Sequence, residues 1–138
     1  MILSKDAEAS LVRRPDEPGH FMRIKPLERL VIVTLDDTLL AQTVAAKRVL
    51  EVGGDLYDPV LYIPRKDVKA AFKKNDKTTH CPLKGEASYF SAKEITGTWA
   101  DEIAWSYETP LDFASEIKGL IAFDTNRVAI TEAPNVSS

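Results

Sequence analysis

The sequence of 138 residues contains a single cysteine, Cys81, and two histidines, His20 and His80. One thiol cannot form an intramolecular disulfide, and a structural zinc site needs four ligands drawn mostly from cysteine and histidine. Glycine is scarce too, with six residues in all, and none falls into a phosphate-binding or dinucleotide-binding loop pattern. We therefore predict no bound metal and no cofactor.

The chain also lacks excess positive charge and long apolar segments. Its 18 basic and 21 acidic residues give a net charge of -3, whereas nonspecific nucleic-acid binding requires a basic face. No apolar run approaches the ~20 residues that span a bilayer. The first residues lack the basic start and apolar core of a signal peptide. We expect a cytoplasmic protein with neither nucleic acid nor membrane as a partner.

What the chain does contain is typical of one globular domain, with 44% apolar and 28% charged residues. Residues 1–20 include Pro15 and Pro18 and show no usable period, so they predict a flexible N-terminal arm. Residues 21–132 form the predicted domain, and residues 133–138 form a C-terminal tail.

Short β-branched or alternating segments predict about eight strands. They lie at residues 30–35, 39–43, 60–63, 78–81, 87–92, 103–107, 119–123 and 127–130. Residues 21–24 can add a short edge strand, which Pro26 ends. Asp36, Asp37 and Thr38 form the turn of a first hairpin, and residues 124–126 form the turn of a closing hairpin. The prediction is a mainly β single domain, an antiparallel sandwich or curved, barrel-like sheet, with two or three short helices.

Three segments are predicted to be something other than strand. Residues 45–52 read as two turns of helix stopped by glycine, with an irregular segment as the alternative. Residues 67–72 have apolar side chains at helical spacing and predict one or two turns. The charged residues 73–77 predict a solvated loop.

The segment around residues 79–89 concentrates reactive side chains, namely His80, Cys81, Lys84 and Tyr89. Neighbouring residues of a strand point to opposite faces, so His80 is a poor base for Cys81. Lys84 is the better candidate to activate the thiol, because the turn can swing its ammonium back over the strand. The simpler interpretation is that Cys81 is a small core residue and Lys84 a turn charge. Gly85 is expected to need a positive φ or a close backbone approach.

Aromatic residues form the second feature of interest. Alternation places Trp105 and Tyr107 on one face, where Tyr62 and Tyr89 can join them as a wall for a planar ligand or cation. The same residues equally fit a hydrophobic core. Arg65 follows a strand end, where it can clamp a carboxylate or phosphate or pair with an acidic side chain.

These segments together resemble domain-of-unknown-function family 427, which is sometimes labelled nucleotidyltransferase-like. The resemblance is carried by residues 62–68, 79–89, 104–107, Pro110 and 121–123, with the lead-in at residues 18–20. It runs from about residue 30 to residue 130. It implies a small β domain of the tent-like sheet class. The paired Cys-x-x-Cys motifs of the zinc-anchored relatives are missing here, as are the Gly-Ser and Asp-x-Asp motifs of a nucleotidyltransferase.

The leading hypothesis is a domain that binds a small, planar or anionic molecule. Its predicted ligand-binding residues are Tyr62, Arg65, His80, Lys84, Tyr89, Trp105 and Tyr107. Arg65, Lys84 and Cys81 are expected at the rim of the pocket. One alternative is an enzyme that uses Cys81 as a nucleophile or redox thiol assisted by Lys84. Another is a protein–protein interaction module with exposed aromatic residues. A homodimer stays open as a further partner.

Overall fold

Strands dominate the computed structural model, which describes residues 4–14 and 16–134, with 54% strand and 9% helix. The strands are β1 Val12–Arg13, β2 Phe21–Pro26, β3 Arg29–Leu35, β4 Thr38–Thr43, β5 Lys47–Val52, β6 Val60–Tyr62, β7 Phe72–Cys81, β8 Gly85–Lys93, β9 Trp99–Ser106, β10 Ile121–Phe123 and β11 Ala129–Pro134. Helical structure in these residues is short: α1 Lys5–Ala9 and 3-10 turns at Arg65–Asp67 and Asp112–Ile117.

The strands form three open antiparallel sheets. Their orders are β1-β2-β5-β6, β10-β9-β8-β7 and β11-β3-β4. A bridge between Ile63 and Ile121 joins the first sheet to the second, with reciprocal backbone hydrogen bonds of 2.8 Å. The edge of β6 therefore continues into β10, and the two sheets are held at a fixed register.

Strands β8 and β9 separate two hydrophobic clusters. Phe90 pairs with Ala104 and faces the first cluster, which includes Val31 and Val33 from the third sheet. The next pair, Tyr89 and Trp105, packs against the second cluster, which includes Met22 from the first sheet. Because successive strand residues point to opposite faces, the same two strands serve both clusters.

The predicted class, a mainly β single domain of antiparallel sheets with few short helices, is confirmed. The first predicted hairpin is present as β3 and β4, and Asp36 in its turn has a φ of 49°. Short polar residues such as aspartate tolerate this left-handed conformation better than branched ones, which is why the turn was visible in the sequence.

The helix predicted at residues 45–52 is wrong, because residues 47–52 form strand β5 between β2 and β6. Val49 is buried in the second cluster, and pairing on both edges outweighs the weak local helical pattern. The loop predicted at residues 73–77 is also wrong. These residues lie within β7, at the edge of its sheet, and their lysine side chains stay in solvent. Lys73 and Lys74 pair with β8, and the register shifts between Lys74 and Thr78.

Two further local predictions need correction. Of the helical turn predicted at residues 67–72, only Asp67 is helical, as the last residue of the 3-10 turn Arg65–Asp67, and β7 already begins at Phe72. The prediction of a closing hairpin is wrong, because β10 pairs with β9 whereas β11 pairs with β3. The predicted turn exists, since the Asp124 carboxylate accepts from the Asn126 amide and the Asp124 carbonyl accepts from the Arg127 amide. This turn carries the chain from one sheet to another.

The N-terminal segment contains α1 and β1 where the sequence showed no period. Strand β1 pairs with β2, so β2 is not the edge strand that the sequence suggested. Residues 133 and 134 of the predicted tail belong to β11. Residues 1–3, Pro15 and 135–138 lie outside the described residues, and the division into arm, domain and tail stays a prediction. Within the described residues, no helix is both long and apolar enough to cross a membrane.

Candidate functional site

A cleft of about 480 Å³ opens on the second-cluster side of β8 and β9, and we call it the aromatic cleft. Its lining combines side chains of the first and second sheets with those of neighbouring loops. They are Glu51, Tyr57, Val60, Tyr62, Lys77, Lys84, Tyr89, Glu102, Trp105, Tyr107, Asp124 and Arg127.

The strand register explains why four aromatic rings meet here. Tyr89 and Trp105 are direct cross-strand partners, and Tyr107 follows Trp105 at the alternate position. Tyr62 comes from β6, whose neighbour Ile63 is bridged to β10. The Trp105 indole donates a 3.4 Å hydrogen bond to the Tyr62 hydroxyl, and the Tyr62 and Tyr107 ring centroids lie 6.5 Å apart.

The four rings differ in exposure and polarity. Tyr62 and Tyr107 are buried, and burial raises the pKa of both hydroxyls above the ordinary value, so both stay neutral. Trp105 and Tyr89 are half-buried and reach the solvent side. The Tyr89 hydroxyl is 2.9 Å from the Thr79 hydroxyl, and the Lys77 ammonium lies 4.6 Å from its ring centroid. The cleft therefore has a buried aromatic floor at Tyr62 and Tyr107, while Tyr89 and Lys77 lie at its exposed rim.

Lys84 enters the cleft from the tight turn between β7 and β8. Cys81 and Gly85 are the last pair of the ladder, and Gly85 has a φ of 111°. The Leu111 amide donates to the Lys84 carbonyl at 2.9 Å, which fixes the turn against the following segment. The expectation that Gly85 needs a positive φ or a close backbone approach is confirmed, since a Cβ there would also lie 3.2 Å from the Leu111 backbone nitrogen.

The Lys84 ammonium is held in a polar network of four residues: His20, Glu51, Lys84 and Cys81. It donates to Glu51 Oε1 and lies 3.7 Å from Cys81 Sγ, while His20 Nε2 is 2.8 Å from Glu51 Oε2. Burial opposes the charge on Glu51, but hydrogen bonds from Lys84 and His20 outweigh it. The pKa of this carboxyl therefore lies below its usual value.

Glu51 and His20 were missed by reasoning from the sequence. Glu51 lies on β5, where alternation puts it on the same face as the buried Val49. Interpreting residues 45–52 as helix hid that signal. His20 lies in the segment predicted to be a flexible arm, and nothing local connects it to a residue 31 positions further along the chain.

Five of the seven predicted ligand-binding residues line the cleft: Tyr62, Lys84, Tyr89, Trp105 and Tyr107. Lys84 was expected at the rim but is buried. Arg65 lies elsewhere, with its guanidinium carbon 5.2 Å from the Phe90 ring centroid on the first-cluster side. His80 is exposed on β7 opposite Glu86. Cys81 is half-buried behind Lys84.

The described residues contain no group of three or more His, Cys, Asp and Glu side chains that could hold a metal ion. Fold and site thus define a class: a mainly β domain whose open sheets enclose an aromatic cleft with a buried, carboxylate-paired lysine.

A family model described as a domain of unknown function (DUF427) matches residues 23–133, which is most of the chain. The chain belongs to this family, which confirms the resemblance that the motifs indicated. No curated protein matches the sequence. The family description carries no activity, so any function has to be argued from the cleft itself.

Proposed function

We propose that the protein binds a small planar molecule with an anionic group in the aromatic cleft. The observation that carries the proposal is the meeting of a buried ammonium, Lys84, with four aromatic rings in a space of about 480 Å³. Ligand sites are usually concave and mostly apolar, with a few polar groups that fix orientation.

Support for a planar ligand comes from the arrangement of the rings. Aromatic rings prefer offset or edge-to-face contacts with centroids ~4.5–7 Å apart, and the half-buried Trp105 has room on its cleft side for such a partner. Buried Tyr62 and Tyr107 form a recessed floor. A recessed floor favours a small molecule over the flat aromatic patch expected of a protein–protein interaction module.

Support for an anionic group comes from Lys84. Its ammonium has three N–H donors, and among the described residues it makes two hydrogen bonds, to Glu51 and Cys81. The third donor is available to a ligand acceptor, and it lies beside the Tyr107 ring, 5.8 Å from the centroid. A charged acceptor makes a stronger hydrogen bond with this ammonium than a neutral one does.

The test uses Trp105 as its own reporter. Trp99 is the other of two tryptophans, so a Trp99→Phe protein emits from the cleft alone. Benzenesulfonate is titrated against cyclohexanesulfonate, which has the charge without the flat ring, and benzenesulfonamide, which has the ring without the charge. We expect saturable quenching of Trp105 emission by benzenesulfonate. The dissociation constants of cyclohexanesulfonate and benzenesulfonamide should each be at least about tenfold higher.

Lys84→Met should abolish the preference for the anion, and Lys77→Met at the rim is the matched control that should retain it. Equal binding of benzenesulfonate and cyclohexanesulfonate would contradict a planar site. Absence of quenching by every ring compound would overturn the proposal as a whole.

A second candidate function is thiol chemistry at Cys81, favoured by the 3.7 Å approach of the Lys84 ammonium to the sulfur. A neighbouring cation stabilises the thiolate, which is the nucleophilic form. Alkylation by iodoacetamide at pH 7 should then be slower in Lys84→Met than in the native protein, with Lys77→Met as control. An unchanged rate would remove this candidate.

A further inference from the structure

His20 connects the N-terminal segment to the cleft. Its Nε2 lies 2.8 Å from Glu51 Oε2, and the two side chains are only 12% and 13% exposed. The other oxygen of the same carboxylate accepts from Lys84. A single carboxylate therefore joins His20 to the ammonium in the cleft.

The backbone around His20 is held by a compact turn. The Arg14 amide donates to the His20 carbonyl at 3.1 Å, and the His20 amide donates to the Glu17 carbonyl at 2.9 Å. The Arg14 guanidinium pairs with Asp16 at 2.7 Å and with Glu17 at 2.6 Å. These contacts fix the position from which the imidazole reaches Glu51.

The imidazole also lies close to Gly53, in the loop after β5. A Cβ added at Gly53 would lie 3.2 Å from the His20 ring and 3.1 Å from the Tyr57 ring. Both distances are shorter than ordinary van der Waals contacts between carbon atoms. The imidazole therefore occupies, beside the Tyr57 ring, space that a side chain at position 53 would need.

We propose that His20 is a positioning residue for the aromatic cleft: it holds Glu51, which in turn orients Lys84, so that its protonation strengthens the binding of an anionic ligand. This inference rests on the proposed function, since it concerns the ligand of the same cleft.

The charges around the imidazole give the direction of the effect. The charged and titratable groups facing it are Glu51 on β5, Tyr57 in the loop after β5, Asp16 in the turn and, beyond Glu51, Lys84. With a neutral imidazole, the charge of Glu51 is balanced by Lys84 alone. A proton added to His20 adds one positive charge to the network. Attraction for an anion then increases.

The experiment measures the dissociation constant of benzenesulfonate, which stays ionised throughout, by Trp105 emission in the Trp99→Phe protein at pH 8 and pH 5.5. His20→Ala should weaken binding about tenfold at pH 8, because Glu51 loses a charge-assisted hydrogen bond. His20→Gln keeps a donor for Glu51 and should stay within about twofold of the parent at pH 8. The parent should bind about threefold more tightly at pH 5.5, and His20→Gln should show no such change.

Three controls make the outcomes distinct. His80→Ala removes the other histidine, which is exposed and outside the network, and should match the parent at both pH values. Benzenesulfonamide should bind equally at both pH values. Melting curves of each variant verify folding; if His20→Ala does not fold, the pH response of His20→Gln decides.

If the parent binds benzenesulfonate but both His20 variants match it at both pH values, the positioning role is wrong and the proposed function stands. If neither the parent nor any variant binds, the proposed function and this inference fail together.

Discussion

At the scale of single residues, the ion pair of Lys84 and Glu51 is the most consequential contact. Charged side chains are rarely buried unless they are paired, because desolvation costs several kcal/mol per ion. The side chains of Lys84 and Glu51 are only 8% and 13% exposed. Each charge is therefore tolerable only while the other is present, and a lysine that resembles a turn charge in the sequence is part of the interior.

Lys84→Met is expected to lower the free energy of unfolding by about 3 kcal/mol, because it leaves Glu51 buried without its main partner. The matched control is Lys77→Met. Lys77 pairs with Glu102 with both side chains 45% exposed, so its loss should cost at most about 0.5 kcal/mol. Urea denaturation followed by circular dichroism measures both values. Similar stability of the two variants would show that Lys84 is not buried as described.

The carboxyl of Glu51 predicts a pH dependence. Its pKa in the folded protein lies below the value that it has in the unfolded chain, so the unfolded chain takes up the proton first as pH falls. The stability contributed by Glu51 is complete above that value and is lost as pH decreases through the lower, folded pKa. Urea denaturation at pH 7 and pH 3.5 should therefore show a smaller acid-induced loss in Glu51→Gln than in the native protein. An equal loss in both would contradict the assignment.

At the scale of elements, the turn between β7 and β8 sets where Lys84 projects. Gly85 has a φ of 111°, and a Cβ there would lie 3.2 Å from the Leu111 backbone nitrogen. A side chain at this position thus meets both backbone strain and a fixed neighbour. The turn is rigid because its positive φ favours glycine and because the Leu111 backbone leaves no room for a side chain.

Gly97 allows these two effects to be separated. It has a φ of 94°, but a Cβ there would meet nothing within 4 Å. We expect Gly97→Ala to cost about 1 kcal/mol from backbone strain and Gly85→Ala about 3 kcal/mol from strain and contact together. Thermal and urea unfolding of both variants provide the comparison. Equal costs would mean that the segment at Leu111 yields freely to the new side chain.

At the scale of the whole molecule, β8 and β9 link the main core to the cleft. Phe90 stacks on Phe72 with centroids 4.6 Å apart on one face, while the adjacent Tyr89 lines the cleft on the other. A change in the core therefore acts on the cleft through the same backbone, and the domain is expected to unfold as one unit.

Phe90→Ala should lower the free energy of unfolding by about 3–4 kcal/mol through lost burial and a cavity. In the Trp99→Phe background, Trp105 emission and far-ultraviolet circular dichroism should report coincident urea transitions, shifted together. Ile95→Ala is the control, since Ile95 is 76% exposed and should change stability by less than about 0.5 kcal/mol. Separate transitions for the two signals would show that cleft and core unfold independently.

Elements whose conformation depends on neighbouring residues in the sequence could be predicted, and elements that depend on pairing with distant strands could not. Strands with strong local patterns, such as β3, β4 and β6, were predicted from their residues, as were the turn at Asp36 and the positive φ of Gly85. Strand β5 and the charged part of β7 were not. Their local sequences favour helix and loop, and only hydrogen bonding to neighbouring strands makes them extended.

The sequence by itself determined the mainly β class, the family and most of the aromatic lining, because alternation along a strand is a local property that fixes which side chains share a face. The tertiary structure alone decided that Arg65 and His80 lie outside the cleft, that Lys84 is buried, and that His20 and Glu51 belong to the site. These placements depend on which strands become neighbours. His20 and Glu51 are 31 positions apart in the sequence, and the pairing of β2 with β5 brings them together. Pairing between distant segments is a property of the whole chain, and no local pattern encodes it.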